Sequence, residues 1–196
     1  MVGLGFLPFI TQSSAQSTSS DGSVVVGFNG SVGRVAFRWT QPEGMVSLGR
    51  PSGHVSSEAY GVSATGMVIV GVGITPDPEA IFQAFRWTQG EGWLGLGWLP
   101  GAPHRSSSAS GVSANGSVIV GQSTSDAVPF GEAFRWTSEG GMIGLGVLPS
   151  FDSSGLTKLR TLFVHVVLDE PKLSPDHVDH SESARHEQLS VRLLPT

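Results

Sequence analysis

The chain has 196 residues with 27 glycines, 11 basic and 16 acidic side chains, and no cysteine. The absence of cysteine excludes a disulfide scaffold, a thiolate metal site and a cysteine nucleophile, and the glycines do not recur at every third position as in collagen. The net charge of −5, without any cluster of basic residues, disfavours binding to the phosphate backbone of a nucleic acid.

Composition divides the chain into two regions. Residues 1–150 contain 26 of the 27 glycines and no lysine, whereas residues 151–196 contain one glycine and four of the six histidines. We predict a β-repeat region over 1–150 and a polar, poorly ordered tail over 151–196. The longest apolar stretch of the tail, Leu162–Leu168, is far shorter than the ~20 residues of a membrane-spanning helix. The N-terminal residues show no signal-peptide pattern.

An internal repeat organises the first region. The string Ala-Phe-Arg-Trp-Thr occurs three times, and successive copies are 48 and 49 residues apart. A glycine-closed aliphatic run precedes each copy, and a Leu-Gly pair follows it at a constant distance. The copies lie at Ala36–Thr40, Ala84–Thr88 and Ala133–Thr137, within units of about 6–49, 50–97 and 98–146.

Each unit is predicted to contain four short strands. In the third unit these are about 108–114, 117–121, 132–137 and 141–145, and no helical period occurs in residues 1–150. The first two strands of each unit flank a turn glycine, and Asn115-Gly116 and Asp21-Gly22 favour a two-residue type I′ turn. The unbroken Val-Ile-Val runs predict strands that are covered on both faces. The three turn glycines are Gly22, Gly66 and Gly116.

An aromatic and basic triplet recurs at one position in every unit. One interpretation is a ring of Arg–Trp binding pockets. The other is structural: the tryptophan fills the core between units, and the arginine bonds to carbonyls or to an acid between units. Because a residue needed in every repeat is usually structural, we favour the second interpretation. The triplets are Phe37, Arg38, Trp39; Phe85, Arg86, Trp87; and Phe134, Arg135, Trp136.

The repeat resembles that of the HAF-type extracellular repeat proteins of bacteria. The residues that carry the resemblance are Gly-Val-Ser-Ala-Asn-Gly-Ser-Val-Ile-Val-Gly (Gly111–Gly121), Ala133–Thr137 and Met142–Gly146, with their counterparts in the other units. The resemblance covers about residues 1–150. It implies a secreted or surface-attached protein of unknown activity and supplies no catalytic residues. The departures are Arg50-Pro51 in place of Leu-Pro and Ser17-Thr18 in place of Gly-Val.

Four strands in about 48 residues is the size of a β-propeller blade, and propellers typically have four to eight blades. We therefore predict an all-β chain of three propeller-like blades in an incomplete ring, open to self-association through edge strands. The alternative is a β-trefoil-like domain with three-fold repetition; the family resemblance favours the propeller. Met1 aligns with Met45 and Met142 of the repeat, so we expect the natural protein to start further upstream.

Few residues suggest chemistry. His54 and His104 are equivalent between two units and are candidate ligand-binding residues, although a loop histidine without an acidic or histidine neighbour is typical of an ordinary surface side chain. The tail carries Asp176-His177, His180 and His186-Glu187, but its polar, proline-containing sequence is more typical of disorder than of a metal site. We predict no catalytic, metal or cofactor-binding residues.

The connections that vary between units are the best candidates for recognition, because they differ on a common scaffold. They are Phe28–Val35, Val72–Gln83 and Gln122–Glu132. We expect a secreted or cell-surface, non-enzymatic scaffold whose partner is a surface glycan or a protein. One alternative is a lectin-like module that uses tryptophan or histidine pockets. Another is part of a propeller-type hydrolase, although no acidic residue stands in a setting that predicts a raised pKa.

Overall fold

Twelve β-strands account for the regular structure of the residues that this computed structural model describes. The structure describes residues 3–76, 81–101, 104–126, 128 and 131–147. The predicted disordered tail, with its histidines and acids, lies outside the described residues. The strands are β1 Ser13–Thr18, β2 Val24–Asn29, β3 Val35–Thr40, β4 Gly44–Gly49, β5 Ser56–Val62, β6 Val68–Ile74, β7 Phe82–Thr88, β8 Gly92–Gly97, β9 Ser107–Val112, β10 Ile119–Ser123, β11 Glu132–Thr137 and β12 Gly141–Gly144.

Each repeat forms one four-stranded antiparallel sheet. The strand orders are β1-β2-β3-β4, β5-β6-β7-β8 and β9-β10-β11-β12, which we call the first, second and third sheets. Within the described residues there is no helix, and pairing between sheets is limited to one isolated bridge, Phe82–Ser106. The all-β prediction of three propeller-like blades without a closed ring is therefore confirmed. The trefoil-like alternative does not apply, because each sheet pairs its strands in simple sequence order.

A bulge explains the glycine that closes each aliphatic run. The first strand of the second sheet is irregular between Ala59 and Gly61, opposite Gly71 on β6. A Cβ atom on Gly71 would lie 1.9 Å from the Glu58 carbonyl oxygen, closer than any real contact. The same close approach occurs at Gly27 and Gly121. Only glycine lets the bulged strand approach its neighbour this closely.

The predicted type I′ turn is wrong. Gly22, Gly66 and Gly116 have φ values of +72°, +74° and +78°, but the residues before them do not have positive φ. A four-residue loop forms instead, closed by the Val118 carbonyl, which accepts from the Ser113 amide at 2.8 Å. Because this loop is longer than predicted, β9 ends at Val112 and β10 begins at Ile119.

In the first and third sheets, the acidic or amide side chain just before the turn glycine stabilises this loop, so that residue does not need a left-handed backbone conformation. Asp21 Oδ1 accepts from the Ser23 amide at 3.0 Å, the Ser19 hydroxyl at 2.7 Å and the Ser23 hydroxyl at 2.8 Å. Asn115 makes the same three contacts in the third sheet. The side chain therefore fixes the turn through hydrogen bonds to the residues around it, and only the glycine needs a left-handed backbone.

Asp21→Asn is expected to remove an acid-sensitive contribution to stability. The Ser19 hydroxyl bond, followed by those of Ser23, lowers the pKa of Asp21 from 3.8 to about 2. A depressed pKa in the folded state gives stability that is present above the unfolded value of 3.8 and is lost as the pH falls towards 2. Urea unfolding between pH 5 and pH 2 checks this.

The asparagine variant should lose less stability than the parent over this pH range, because its amide oxygen accepts the same bonds without titrating. Asn115 shows that asparagine fits this loop. A parent and a variant with identical pH dependence would contradict the assignment.

The sheets stack face against face. We call the two sides of each sheet its arginine face and its tryptophan face, after the repeated Arg38, Arg86 and Arg135 or Trp39, Trp87 and Trp136. The arginine face of the first sheet packs on the tryptophan face of the second through Val24, Val26, Ala36, Ala59, Val62 and Ile69. The arginine face of the second packs on the tryptophan face of the third through Val68, Val70, Ala84, Ala109, Ile119 and Phe134.

Buried serines join neighbouring sheets with polar contacts that the sequence analysis missed. The Ser57 hydroxyl donates to the Gly49 carbonyl at 2.6 Å and accepts from the Ala36 amide at 3.0 Å. Ser107 makes the equivalent bonds to Gly97 and Ala84. Each serine thus satisfies two backbone groups of the preceding sheet at a buried position.

The prediction that aliphatic runs are covered on both faces holds for the second sheet and fails for the third. Val68, Val70 and Ile69 are all buried, since the second sheet has a sheet on either side. Val120 on the arginine face of the third sheet is 42% exposed. The difference follows from position in the stack, because no further sheet of the described residues covers that face.

The repeated arginines do not pair with acids of another unit, so that part of the prediction is wrong. Arg38 bonds to Glu43 at 2.9 Å and Arg86 bonds to Glu91 at 2.6 Å, each within its own β-hairpin. Arg135 has no ion pair with any described residue, because glycine takes the position of the acid in its hairpin. The neighbouring Trp87 and Trp136 are partly buried and pack against the clusters between sheets.

Candidate functional site

A cleft of about 460 Å³ lies beside the loop that joins β2 to β3. This loop is the first of the three connections predicted to carry recognition. We call the cleft the β2–β3 cleft. It combines two aromatic rings, one guanidinium group, and hydroxyl and amide side chains. Its lining residues are Phe6, Thr11, Gln12, Ser13, Ser14, Phe28, Gly30, Ser31 and Arg34.

Strand geometry places this loop at an open end of the sheet. β2 ends at Asn29 and β3 begins at Val35, and the intervening backbone is anchored by the Gly30 amide, which donates to the Gln12 carbonyl at 3.0 Å. The tight turns of the same sheet lie at its opposite end, because the strands are antiparallel. The variable loop can therefore change without disturbing the turns that hold the repeat together.

Arg34 is the charged group of the cleft, and two neighbours hold it. Its Nη1 atom donates to both carboxylate oxygens of Glu58, at 3.0 Å and 3.1 Å. Its guanidinium carbon lies 4.7 Å from the centre of the Phe28 ring, a cation–π distance. The Arg34 side chain is 41% exposed and that of Glu58 only 6% exposed, so the cation faces the cleft while its anion is buried.

Tyr60 completes this cluster from the second sheet. Its hydroxyl donates to Glu58 at 2.8 Å. Burial, followed by the hydrogen bond to Glu58, raises the pKa of Tyr60. The carboxylate of Glu58 thus accepts hydrogen bonds from two protein side chains, Arg34 and Tyr60. The cluster offers the cleft a fixed positive charge and an aromatic surface, and it holds its carboxylate away from solvent.

Sequence reasoning missed Glu58, Tyr60 and Arg34 as a cluster. One signal was available: Glu58 stands inside a strand where the equivalent residues of the other units are Ser14 and Ser108. A lone carboxylate in a buried strand requires a partner, because an unpaired buried charge is costly. The identity of that partner depended on which loop crosses from the first sheet, and the repeat pattern does not contain this information.

The two histidine candidates lie outside this cleft. His54 Nδ1 donates to the Ser52 carbonyl at 2.9 Å, and its ring packs edge-on against Phe85 with centres 5.2 Å apart. His104 is exposed. The structure therefore does not bring either one to the β2–β3 cleft. Among the residues that the structure describes, no group of three or more histidines and acids is arranged to hold a metal ion.

A second groove crosses the junction of the second and third sheets. It has a volume of about 370 Å³ and brings Arg86 and its partner Glu91 to one side and Trp136 to the other. The hydrogen bond from Arg86, followed by its charge, lowers the pKa of Glu91. The repeated arginine and tryptophan of neighbouring units therefore share one groove.

Comparisons with known proteins identify no family. No family model matches the chain, and no curated protein matches it. A search of solved structures matches TolB from Acinetobacter baumannii at 13% sequence identity with a TM-score of 0.49. The match covers 68% of this chain and 31% of that chain, so the chain spans about a third of the length of TolB. Within its described part, the chain has no helix that could span a membrane.

Proposed function

We propose that the chain is a non-enzymatic binding scaffold of the HAF type, secreted or attached to a bacterial surface, that recognises its partner at the β2–β3 cleft. The observation that carries this proposal is Arg34, held by buried Glu58 and Phe28 with its guanidinium open to the cleft. A restrained cation loses little conformational entropy on binding, so it is suited to recognition. The resemblance of the repeat supports the extracellular location.

The chemistry of the cleft favours a polar partner with apolar or ring surfaces. Phe6 and Phe28 provide flat apolar surfaces, Arg34 a donor and positive charge, and Gln12 and Ser31 further hydrogen-bonding groups. Surface glycans and extended peptides both present this combination. Aromatic stacking and a few placed polar groups are the usual means of holding such ligands.

Filling the cleft is expected to weaken binding. The purified chain is applied to an array of bacterial-surface glycans and to a phage-displayed peptide library, and the strongest ligand is measured by calorimetry. Ser31→Trp places an indole beside the cleft and is expected to weaken binding at least about tenfold, a loss of about 1.4 kcal/mol.

Gln41→Trp is the matched control. Gln41 is exposed in the turn at the opposite end of the same sheet, and this variant should bind like the parent. Equal binding by the Ser31→Trp variant, or the absence of any ligand in both screens, would contradict the proposal.

A second candidate function is lectin-like binding at the groove between the second and third sheets. The observation that favours it is the juxtaposition of Arg86, Glu91 and Trp136. A sugar ring stacked on Trp136 should quench its fluorescence, and Trp136→Phe should remove that quenching. Trp98→Phe is the control, because Trp98 bonds through Nε1 to the Phe82 carbonyl and does not line this groove. Quenching that survives Trp136→Phe would exclude this candidate.

A further inference from the structure

Among the residues that the structure describes, no sheet covers the arginine face of the third sheet, whereas the same face of the other two sheets is covered. Val26 and Val70 are 0% exposed, whereas their equivalent Val120 is 42% exposed. Leu96 of the second sheet is buried, whereas its equivalent Leu145 is 41% exposed. Ala36 and Ala84 are buried while Ala133 is exposed. This face therefore presents apolar side chains that its repeat pattern normally buries against a tryptophan face.

Among the described residues, the turn glycine of the first sheet lacks the valine contact that the other two turn glycines make with the preceding sheet. Gly66 packs against Val24 of the preceding sheet, and Gly116 packs against Val68 in the same way. A Cβ atom on either glycine would lie about 2.4–2.5 Å from a valine methyl group. Gly22 has no atom of the described part of the chain within 4 Å of the equivalent position. Val118 of the third unit is equivalent in the repeat to Val24 and Val68, so it is the valine that would pack against Gly22 in the same arrangement.

The hydrogen bonds between turns show the same pattern. The Ser20 amide donates to the Ala64 carbonyl at 3.1 Å, and the Ala64 amide donates to the Ala114 carbonyl at 3.1 Å. The Ala114 amide has no acceptor among the described residues, and the equivalent acceptor is the carbonyl of Ser20. Within the described residues, this series of hydrogen bonds therefore leaves the Ala114 amide of the third sheet without an acceptor and the Ser20 carbonyl of the first sheet without the equivalent donor.

The serine contacts extend this complementarity. Ser13 is the first-sheet equivalent of the buried Ser57 and Ser107, but it is exposed and its hydroxyl donates to the Gly5 carbonyl at 3.2 Å. In the other sheets the hydroxyl bonds to the last glycine of the preceding sheet. The equivalent glycine of the third sheet is Gly146, which would replace Gly5 at Ser13 if the third sheet lay against the first.

We propose that the arginine face of the third sheet binds the tryptophan face of the first sheet of a second copy of this chain. The contact is head-to-tail and repeats the two sheet junctions that already exist within one chain. Two chains supply six sheets, which is within the four to eight of typical propellers, so the contact can close into a ring. Residues 3–5 then move aside, and Gly146 of one copy accepts from Ser13 of the other.

Val120→Glu is expected to disrupt this dimer. The parent should elute with twice the 20.5 kDa mass of the chain in size-exclusion chromatography with light scattering. A carboxylate at Val120 would lie opposite Arg135 on β11, and burying this charged pair in place of valine costs desolvation, so the dimer dissociation constant should rise at least about tenfold. Val32→Glu is the matched control, since Val32 is 92% exposed in the β2–β3 loop and should leave the dimer intact. Circular dichroism verifies that both variants fold.

Cross-linking tests the head-to-tail geometry independently. The chain has no cysteine, so Ser13→Cys and Ala133→Cys each introduce a single thiol. A short bis-maleimide should join the two variants when they are mixed and should join neither variant to itself. A monomeric parent at its highest soluble concentration would overturn the proposal. So would efficient self-cross-linking of the Ala133→Cys variant, because this would place two arginine faces together.

Discussion

Gly71→Ala is expected to lower the free energy of unfolding by about 3 kcal/mol, the upper part of the range for overpacking in a core. The added methyl group would meet the Glu58 carbonyl oxygen at 1.9 Å, and a backbone atom cannot rotate away as a side chain can. Relief would require β5 and β6 to separate at the bulge, in a sheet that has neighbours on both faces. Urea unfolding followed by circular dichroism measures the loss.

Gly90→Ala is the control for this substitution. Gly90 lies in the exposed turn between β7 and β8, has no positive φ, and has no atom within 4 Å of the added methyl group. Its free energy of unfolding should change by no more than about 0.5 kcal/mol. Similar losses in both variants would show that glycine at position 71 is retained for a reason other than the close approach at the bulge.

Arg34→Met is expected to cost about 2 kcal/mol of stability, because it leaves the buried carboxylate of Glu58 without its cation. Methionine retains most of the apolar contact with Phe28, so the loss reports mainly on charge. Thermal and urea unfolding at neutral pH measure it. This loss of stability is smaller than for a fully buried ion pair, because the Arg34 side chain is 41% exposed and solvent screens its charge.

Two comparisons isolate the charge effect. In a Glu58→Gln background, the neutral amide can still accept from Tyr60, and Arg34→Met should then cost about 1 kcal/mol less. Arg86→Met breaks another ion pair, whose acid Glu91 is exposed, and should cost much less stability than Arg34→Met. Equal losses for Arg34→Met in both backgrounds would contradict the role of Glu58 as a buried counter-charge.

The stacking of sheets explains which sequence expectations succeeded. The period of the repeat and the alternation within Ala-Phe-Arg-Trp-Thr predicted three four-stranded units, and these are the three sheets. The covered-strand prediction held for Val70 and failed for Val120, although the two stand in nearly identical sequence. Burial on the outer faces of a stack depends on the next sheet, and local sequence contains no information about it.

The turns show a more local limit. Asp21-Gly22 and Asn115-Gly116 predicted a turn at the correct place but of the wrong type. The dipeptide is compatible with more than one loop length, and the serine hydroxyls of Ser19 and Ser113, which accept from the Val24 and Val118 amides at 3.0 Å, favour the longer loop. The repeated serines were visible in the sequence, but their contacts were not used in the prediction.

The sequence by itself determined the fold class, the repeat, the strand positions to within a few residues and the connections that vary. These follow from short-range periodicity and from glycine positions, and both are properties of consecutive residues. Tertiary structure alone decided that Arg34 meets Glu58 across two sheets, that Arg86 and Trp136 share a groove, and that Val120 and Gly22 are left open. Each of these depends on which faces meet when distant segments stack, and sheet stacking joins residues that the repeat treats as unrelated.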